Sequence, residues 1–186
     1  ISSIYDGQPR DSRPIDISVV IDQSGSMGST MENFTQLELA KKAPSDLFSI
    51  LREDDRIAVS RFNDKGYVVW PMKEVSKCSK KKLLEAVEGI NIDGGTTLEA
   101  GFSCGLGVFR EWEKTNSYQE DHMSRQRRIL FLTDMDDMSS NQLQEMLKSS
   151  SEEGIYTTII GIGISFNSQL TESIIKVPGA NYFSVR

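Results

Sequence analysis

Apolar residues along the chain fall into short runs separated by polar turns, and the runs alternate between strand-like and helix-like spacing. Ile15 to Ile21 is nearly continuous and β-branched and closes on Asp22. Such content predicts a strand buried on both faces, as in a parallel sheet. From Glu32 to Leu51, Ala40, Ala43, Leu47, Ile50 and Leu51 recur at helical spacing, which predicts a helix. Pro44 lies inside it and lacks a backbone donor, so a bend or an interruption is expected there. Asp55 to Phe62 carries Ile57, Val59 and Phe62 and predicts a second strand. Asn63-Asp64-Lys65-Gly66 turns the chain, and Tyr67 to Met72 returns as a third strand in an antiparallel hairpin. Pro71 fits that strand only at an edge or a strand end.

Ser79 is expected to cap a helix reaching about Ile90, with Leu83, Leu84 and Val87 inward. Thr97 to Trp112 predicts another helix, in which Gly101, Gly105 and Gly107 allow close packing at a cost in helix propensity. Arg128 to Asp134 and Ile155 to Ile162 predict two more strands. Between them, Ser139 or Ser140 caps a helix that ends near Glu153 and stops at Gly154. Ser168 is expected to cap a last helix ended by Pro178-Gly179, before a sixth strand from Asn181 to Val185.

Strands alternating with helices predict an α/β fold: a doubly wound, Rossmann-like, mainly parallel six-stranded sheet with one antiparallel edge strand and helices on both faces. In such sheets ligands bind beyond the carboxyl ends of the strands, near the switch point. Asp22 and Asp134 close two apolar runs, and Gly94-Gly95-Thr96-Thr97 opens a helix. Three separated segments therefore bring oxygen donors to one edge. Carboxylates and hydroxyls of this kind suit a hard cation such as Mg²⁺.

Composition narrows the partners. The 186 residues, 38% hydrophobic and 26% charged, fit one ordinary globular domain with its own core. Residues 1–13 are polar and read as a leader or linker, and a chain starting at Ile1 rather than Met is expected to be cut from something longer. A net charge of −6 argues against a nucleic-acid surface. No apolar stretch approaches the roughly 20 residues that span a bilayer. Cys78 and Cys104 read as unpaired thiols, Cys104 buried, and so low a cysteine content leans toward the inside of a cell. His122 is alone in a polar loop and reads as solvated rather than catalytic.

Asp22-Gln23-Ser24-Gly25-Ser26-Met27, then Gly94-Gly95-Thr96, then Leu132-Thr133-Asp134 resemble the von Willebrand factor A (vWA) domain over roughly Pro14 to Val185. The resemblance implies a vWA domain over 14–186 with a metal-ion-dependent adhesion site. Carried over, Asp22, Ser24, Ser26, Thr96 and Asp134 would be the metal ligands, for Mg²⁺ with Mn²⁺ or Ca²⁺ as alternatives. It implies a binding module rather than an enzyme. Its partner would be a protein offering an Asp or Glu to the cation, and the module would sit within a larger multidomain protein. The sequence departs from the pattern after Asp134, where Met135, Asp136 and Asp137 stand in place of the usual glycine.

Plainer readings stand beside this one. Asp-x-Ser and Thr96 can each simply cap the helix that follows, and the domain can be a structural assembly unit with no exchangeable ligand. The enzyme alternative rests on Asp134-Met135-Asp136, which resembles the nucleophile motif of haloacid-dehalogenase-type phosphatases, with Asp134 as nucleophile and Asp136 as acid and base. Met138 departs from that motif, and no later strand-end acidic pair follows it.

Overall fold

The computed structural model describes residues 13–116, 124–134, 141–163, 172, 174 and 176–185. Strand β1 (Ile15–Asp22) is followed by a 3₁₀ turn at Gly25–Gly28 and a small antiparallel ribbon, β2 (Thr30–Met31) and β3 (Phe34–Thr35). Then come helix α1 (Gln36–Ile50), strands β4 (Arg56–Phe62) and β5 (Gly66–Glu74), and helices α2 (Lys80–Glu88) and α3 (Leu98–Thr115). Strand β6 (Gln126–Thr133), helix α4 (Asn141–Glu152) and strands β7 (Ile155–Ile162) and β8 (Asn181–Val185) follow.

Six strands form one sheet in the order β5-β4-β1-β6-β7-β8. Only the β4–β5 pair is antiparallel. β1 lies centrally between β4 and β6, and helices cover both faces of the sheet there, so it is buried from Asp16 to Asp22. That explains its near-continuous apolar run. Successive β1 side chains enter opposite layers. Ile17, Val19 and Ile21 join Leu37 and Ala40 of α1 and Leu83 and Val87 of α2. Val20 joins Phe102, Leu106 and Phe109 of α3 and Leu143 and Leu147 of α4. The sheet is thus covered on both faces, as predicted.

β5 is an edge strand, which accommodates Pro71. Its pairing with β4 slips twice, between Ile57 and Val59 and between Val59 and Ser60. Pro71 falls among the irregular positions, where no ladder donor is lost.

Several boundaries differ from the sequence reading, each for a physical reason. The first helix starts at Gln36, not Glu32, because Thr35 caps it. The Thr35 hydroxyl accepts from the Glu38 N–H at 3.1 Å, and the Glu38 carboxylate accepts from the Thr35 N–H at 2.6 Å. This reciprocal pair satisfies two terminal donors. It also holds the Glu38 carboxyl below the usual carboxylate range. The residues before it form the β2–β3 ribbon, with Glu32 in the left-handed region at φ 53°.

Pro44 does not interrupt α1, which runs through it with the ring buried. α3 extends beyond Trp112 to Thr115, and α2 ends at Glu88. The strand expected from Arg128 to Asp134 runs from Gln126 to Thr133, leaving Asp134 just past its end. Cys78 and Cys104 are both free and both half-buried, so Cys104 is less enclosed than expected. Gly101 and Gly105 do permit close packing, but a Cβ at Gly107 would meet nothing within 4 Å. The Ser139 or Ser140 cap, the Ser168 cap, most of the last helix, His122, Asp136 and Asp137 lie outside the described residues. No helix among the described residues is long and apolar enough to cross a membrane.

Candidate functional site

Doubly wound topology fixes where the site lies. The chain leaves β1 toward β4, whereas β6 pairs on the other side of β1. The carboxyl ends of β1 and β6 therefore flank the switch point, where diverging loops leave a crevice.

Asp22 ends β1 and is fully buried. The Ser24 N–H donates to its Oδ1 at 2.8 Å, and the Thr133 hydroxyl donates to its Oδ2 at 2.6 Å. The register that sets Ile21 beside Leu132 brings Thr133 alongside Asp22. Burial pushes the Asp22 carboxyl above its ordinary value, because the charged form loses water. Hydrogen bonds from Thr133 and Ser24 oppose that push, and the neighbouring Asp134 carboxylate adds to it.

From Ser24 the chain tightens into the 3₁₀ turn, which carries Ser26 back over the strand ends. Ser24 Oγ and Ser26 Oγ lie 3.1 Å apart, and the Ser26 hydroxyl donates to Asp134 Oδ1 at 2.9 Å. Ser24 is buried, Asp134 is half-buried and Ser26, between them, is exposed, so the cluster opens to the surface at Ser26.

Thr96 arrives on a different loop. The Gly25 N–H donates to the Gly94 carbonyl at 3.2 Å, which docks the Gly94-Gly95-Thr96 segment against the serine turn. Gly94 has φ 71°, and a Cβ there would press on the Asn63 side chain, so the docking needs glycine. The half-buried Thr96 hydroxyl makes no hydrogen bond to the other four side chains among the described residues.

The structure thus brings Asp22, Ser24, Ser26 and Asp134 into one connected cluster and places Thr96 on the adjoining loop. Helix capping does not explain them. The cap of α1 is Thr35, and the N-cap of α3 is Thr97 rather than Thr96. Ser24 precedes the 3₁₀ turn without any side-chain cap bond.

Sequence reasoning missed one contributor. Gln36, the first residue of α1, is buried against the cluster. In the amide orientation that satisfies its neighbours, its nitrogen donates to Asp134 Oδ2 at 2.9 Å and to the Ser26 carbonyl at 3.1 Å. The Thr35-x-x-Glu38 capping box carried the signal, since it places the start of α1 at Gln36. A helix that follows β1 in this topology begins at the carboxyl edge of the sheet.

The donor set fits a small hard cation. Neighbouring ligands on a Mg²⁺ octahedron sit about 2.9 Å apart, given metal–oxygen distances of roughly 2.0–2.1 Å. The spacings along the serine–serine–aspartate row, 3.1 and 2.9 Å, are hydrogen-bond lengths of the same order, so little movement is needed for these oxygens to share a cation. Among the described residues no three His, Cys, Asp or Glu side chains cluster as a metal site.

The family model of the von Willebrand factor type A domain matches residues 16–186. The chain belongs to this family. Over 163 residues, 87% of the chain, this vWA domain is 25% identical to "Uncharacterized protein sll0103" of Synechocystis sp., and it spans 35% of that protein's length. Its fold matches "von Willebrand factor type A from Catenulispora acidiphila" with a TM-score of 0.74 at 20% identity, over 94% of this chain and 39% of that one. Proximal thread matrix protein 1 of the mussel byssus, in a structure described as having a zinc-occupied MIDAS motif, matches with a TM-score of 0.66 at 17% identity, over 94% and 44% of the two chains. At these identities the two solved structures establish the shared fold of the vWA domain.

Proposed function

We propose that this vWA domain is a divalent-cation-dependent protein-binding module and not an enzyme. Asp22, Ser24, Ser26, Thr96 and Asp134 hold the cation, Mg²⁺ in the first instance. The partner is a protein that offers an Asp or Glu carboxylate. The observation that carries this reading is the hydrogen-bonded row from Ser24 through Ser26 to Asp134, backed by Asp22 at the switch point. The zinc-occupied motif of the mussel relative supports it by analogy of fold.

When bound, the cation supplies a Lewis-acidic positive centre that a partner's carboxylate can complete. The chain's own residues set how much positive character remains. Asp22 is tied through both oxygens to Ser24 and Thr133, and Asp134 through both to Ser26 and Gln36. Neutral hydroxyls then make up most of the donor set, which leaves the centre receptive to an outside anion. The phosphatase alternative is not favoured, because family membership accounts for Asp134 and its Ser26 contact without a nucleophilic role.

Ligand linkage gives a direct check. At a cation concentration 100 times Kd, stabilisation is about 2.7 kcal/mol, or roughly 5–10 °C in Tm for a chain of this size. Mg²⁺ or Mn²⁺ is expected to raise Tm by that order, EDTA to reverse it, and Ser24→Ala to abolish the gain. A wild-type Tm that ignores both cations would count against a bound metal.

A further inference from the structure

We infer that Gln36 is a positioning residue that decides how Asp134 meets the cation. The inference rests on the cation reading above and goes beyond it by naming what restrains the second carboxylate. Asp134 lies just past β6, outside the ladder that fixes Asp22, so hydrogen bonds from neighbouring segments must orient it. Ser26 takes one oxygen at 2.9 Å, and the Gln36 amide takes the other at 2.9 Å. The same amide donates to the Ser26 carbonyl at 3.1 Å, so one side chain ties the serine turn to the aspartate.

Gln36 is itself held from three sides. Its backbone N–H donates to the Ser29 carbonyl at 3.0 Å. Its position at the start of α1 is set by the Thr35–Glu38 capping box. Gly163, at φ 75° just past β7, has no Cβ to collide with the Gln36 amide. A long polar side chain that is 8% exposed and donates to a carboxylate and a carbonyl is not a surface accident.

The amide donor competes with the cation for Oδ2 and lowers that oxygen's basicity, which favours coordination of Asp134 through one oxygen. Removing the amide takes away that competition, and the cation gains Oδ2 more readily. Cation affinity then rises and the place left for an outside carboxylate shrinks. Gln36 therefore trades tightness of the metal for openness to the partner.

The test uses Mn²⁺ alone, with free Mn²⁺ counted by electron paramagnetic resonance and metal-bound water counted by proton relaxation. Gln36→Met keeps the chain length and removes the amide; Gln36→Leu is the second variant, and a melt in EDTA confirms that each folds. Both variants are expected to bind Mn²⁺ at least threefold more tightly and to show about one fewer bound water. In an Asp134→Asn background the same replacement is expected to change neither quantity. Variants that bind Mn²⁺ like the wild type or more weakly, or an effect that survives Asp134→Asn, would overturn this inference and leave the cation reading standing. A wild type that binds no Mn²⁺ would overturn both.

Discussion

Asp22→Asn is expected to raise the Tm of the metal-free protein and to erase its response to Mg²⁺. The carboxylate sits at the buried end of β1, where lost hydration disfavours its charge and Asp134 adds repulsion. Burying an ion carries an effective penalty of several kcal/mol, and hydrogen bonds recover only part of it. Asn keeps the geometry. Its oxygen accepts from the Ser24 N–H as Oδ1 does now, and its NH₂ donates to the Thr133 hydroxyl, which reverses its role from donor to acceptor. A gain of about 1 kcal/mol follows, or some 2–4 °C at this chain length.

The pH dependence has a definite sign. A carboxyl whose folded pKa lies above its unfolded value, as burial makes that of Asp22, binds its proton more tightly in the native state. Its contribution to metal-free stability is greatest at acid pH and falls as pH rises through the folded value. Asp22→Asn removes that decline. Thermal melts with EDTA and with Mg²⁺, repeated from acid to neutral pH, measure each part. A metal-free Tm lowered by several degrees would mean that the anion itself stabilises the fold, contrary to this account.

Phe62→Ala is expected to lower stability by about 3–5 kcal/mol, a large share of the 5–15 kcal/mol typical of a domain. Phe62 is fully buried at the end of β4 and stacks on Phe131 of β6 with ring centroids 5.1 Å apart. α3 approaches so closely that a Cβ at Gly101 would overlap the Phe62 ring. The vacated ring volume lies between a helix and a sheet that are both held by other contacts, so collapse is incomplete and a cavity remains. The site is affected as well. The Phe62 carbonyl accepts the Gln23 N–H at 2.9 Å, and the next carbonyl, of Asn63, accepts the Thr97 N–H at 2.9 Å. The start of α3, and Thr96 with it, therefore loosens, and the Mg²⁺-induced rise in Tm shrinks. Urea unfolding with and without Mg²⁺ measures both; a stability loss below about 1 kcal/mol would show that the ring is not the anchor described.

Much of the sheet was legible because its strands carry an unambiguous signal. β1 and β7, largely buried, have the bounds their apolar and β-branched runs imply, and β8, an exposed edge strand, has the bounds set by the turn at Pro178-Gly179 before it. Pro71 at an edge was legible for a single reason, its missing N–H. The start of α1 was misjudged because apolar spacing weakens at helix ends, while the Thr35–Glu38 box that sets the end is a polar signal. That error hid Gln36, whose importance arises from a contact across 98 positions of sequence to Asp134. Gly107 misled for the opposite reason: three glycines in one helix look alike in sequence, and only the neighbours distinguish them. The cluster of Asp22, Ser24, Ser26 and Asp134 was legible as a group because Asp22 and Asp134 sit at or next to strand ends and Ser24 and Ser26 follow Asp22 within four residues. Asp22 being capped by Thr133 was not, since it depends on the β1–β6 register.

Crystals grown with Mg²⁺ give the most direct test of the central claim. The account predicts a centre about 2.0–2.1 Å from the hydroxyl oxygens of Ser24, Ser26 and Thr96, with Asp22 and Asp134 beside it. Density for the cation at any other cluster of residues, or a junction of these loops that stays empty at saturating Mg²⁺, would contradict it.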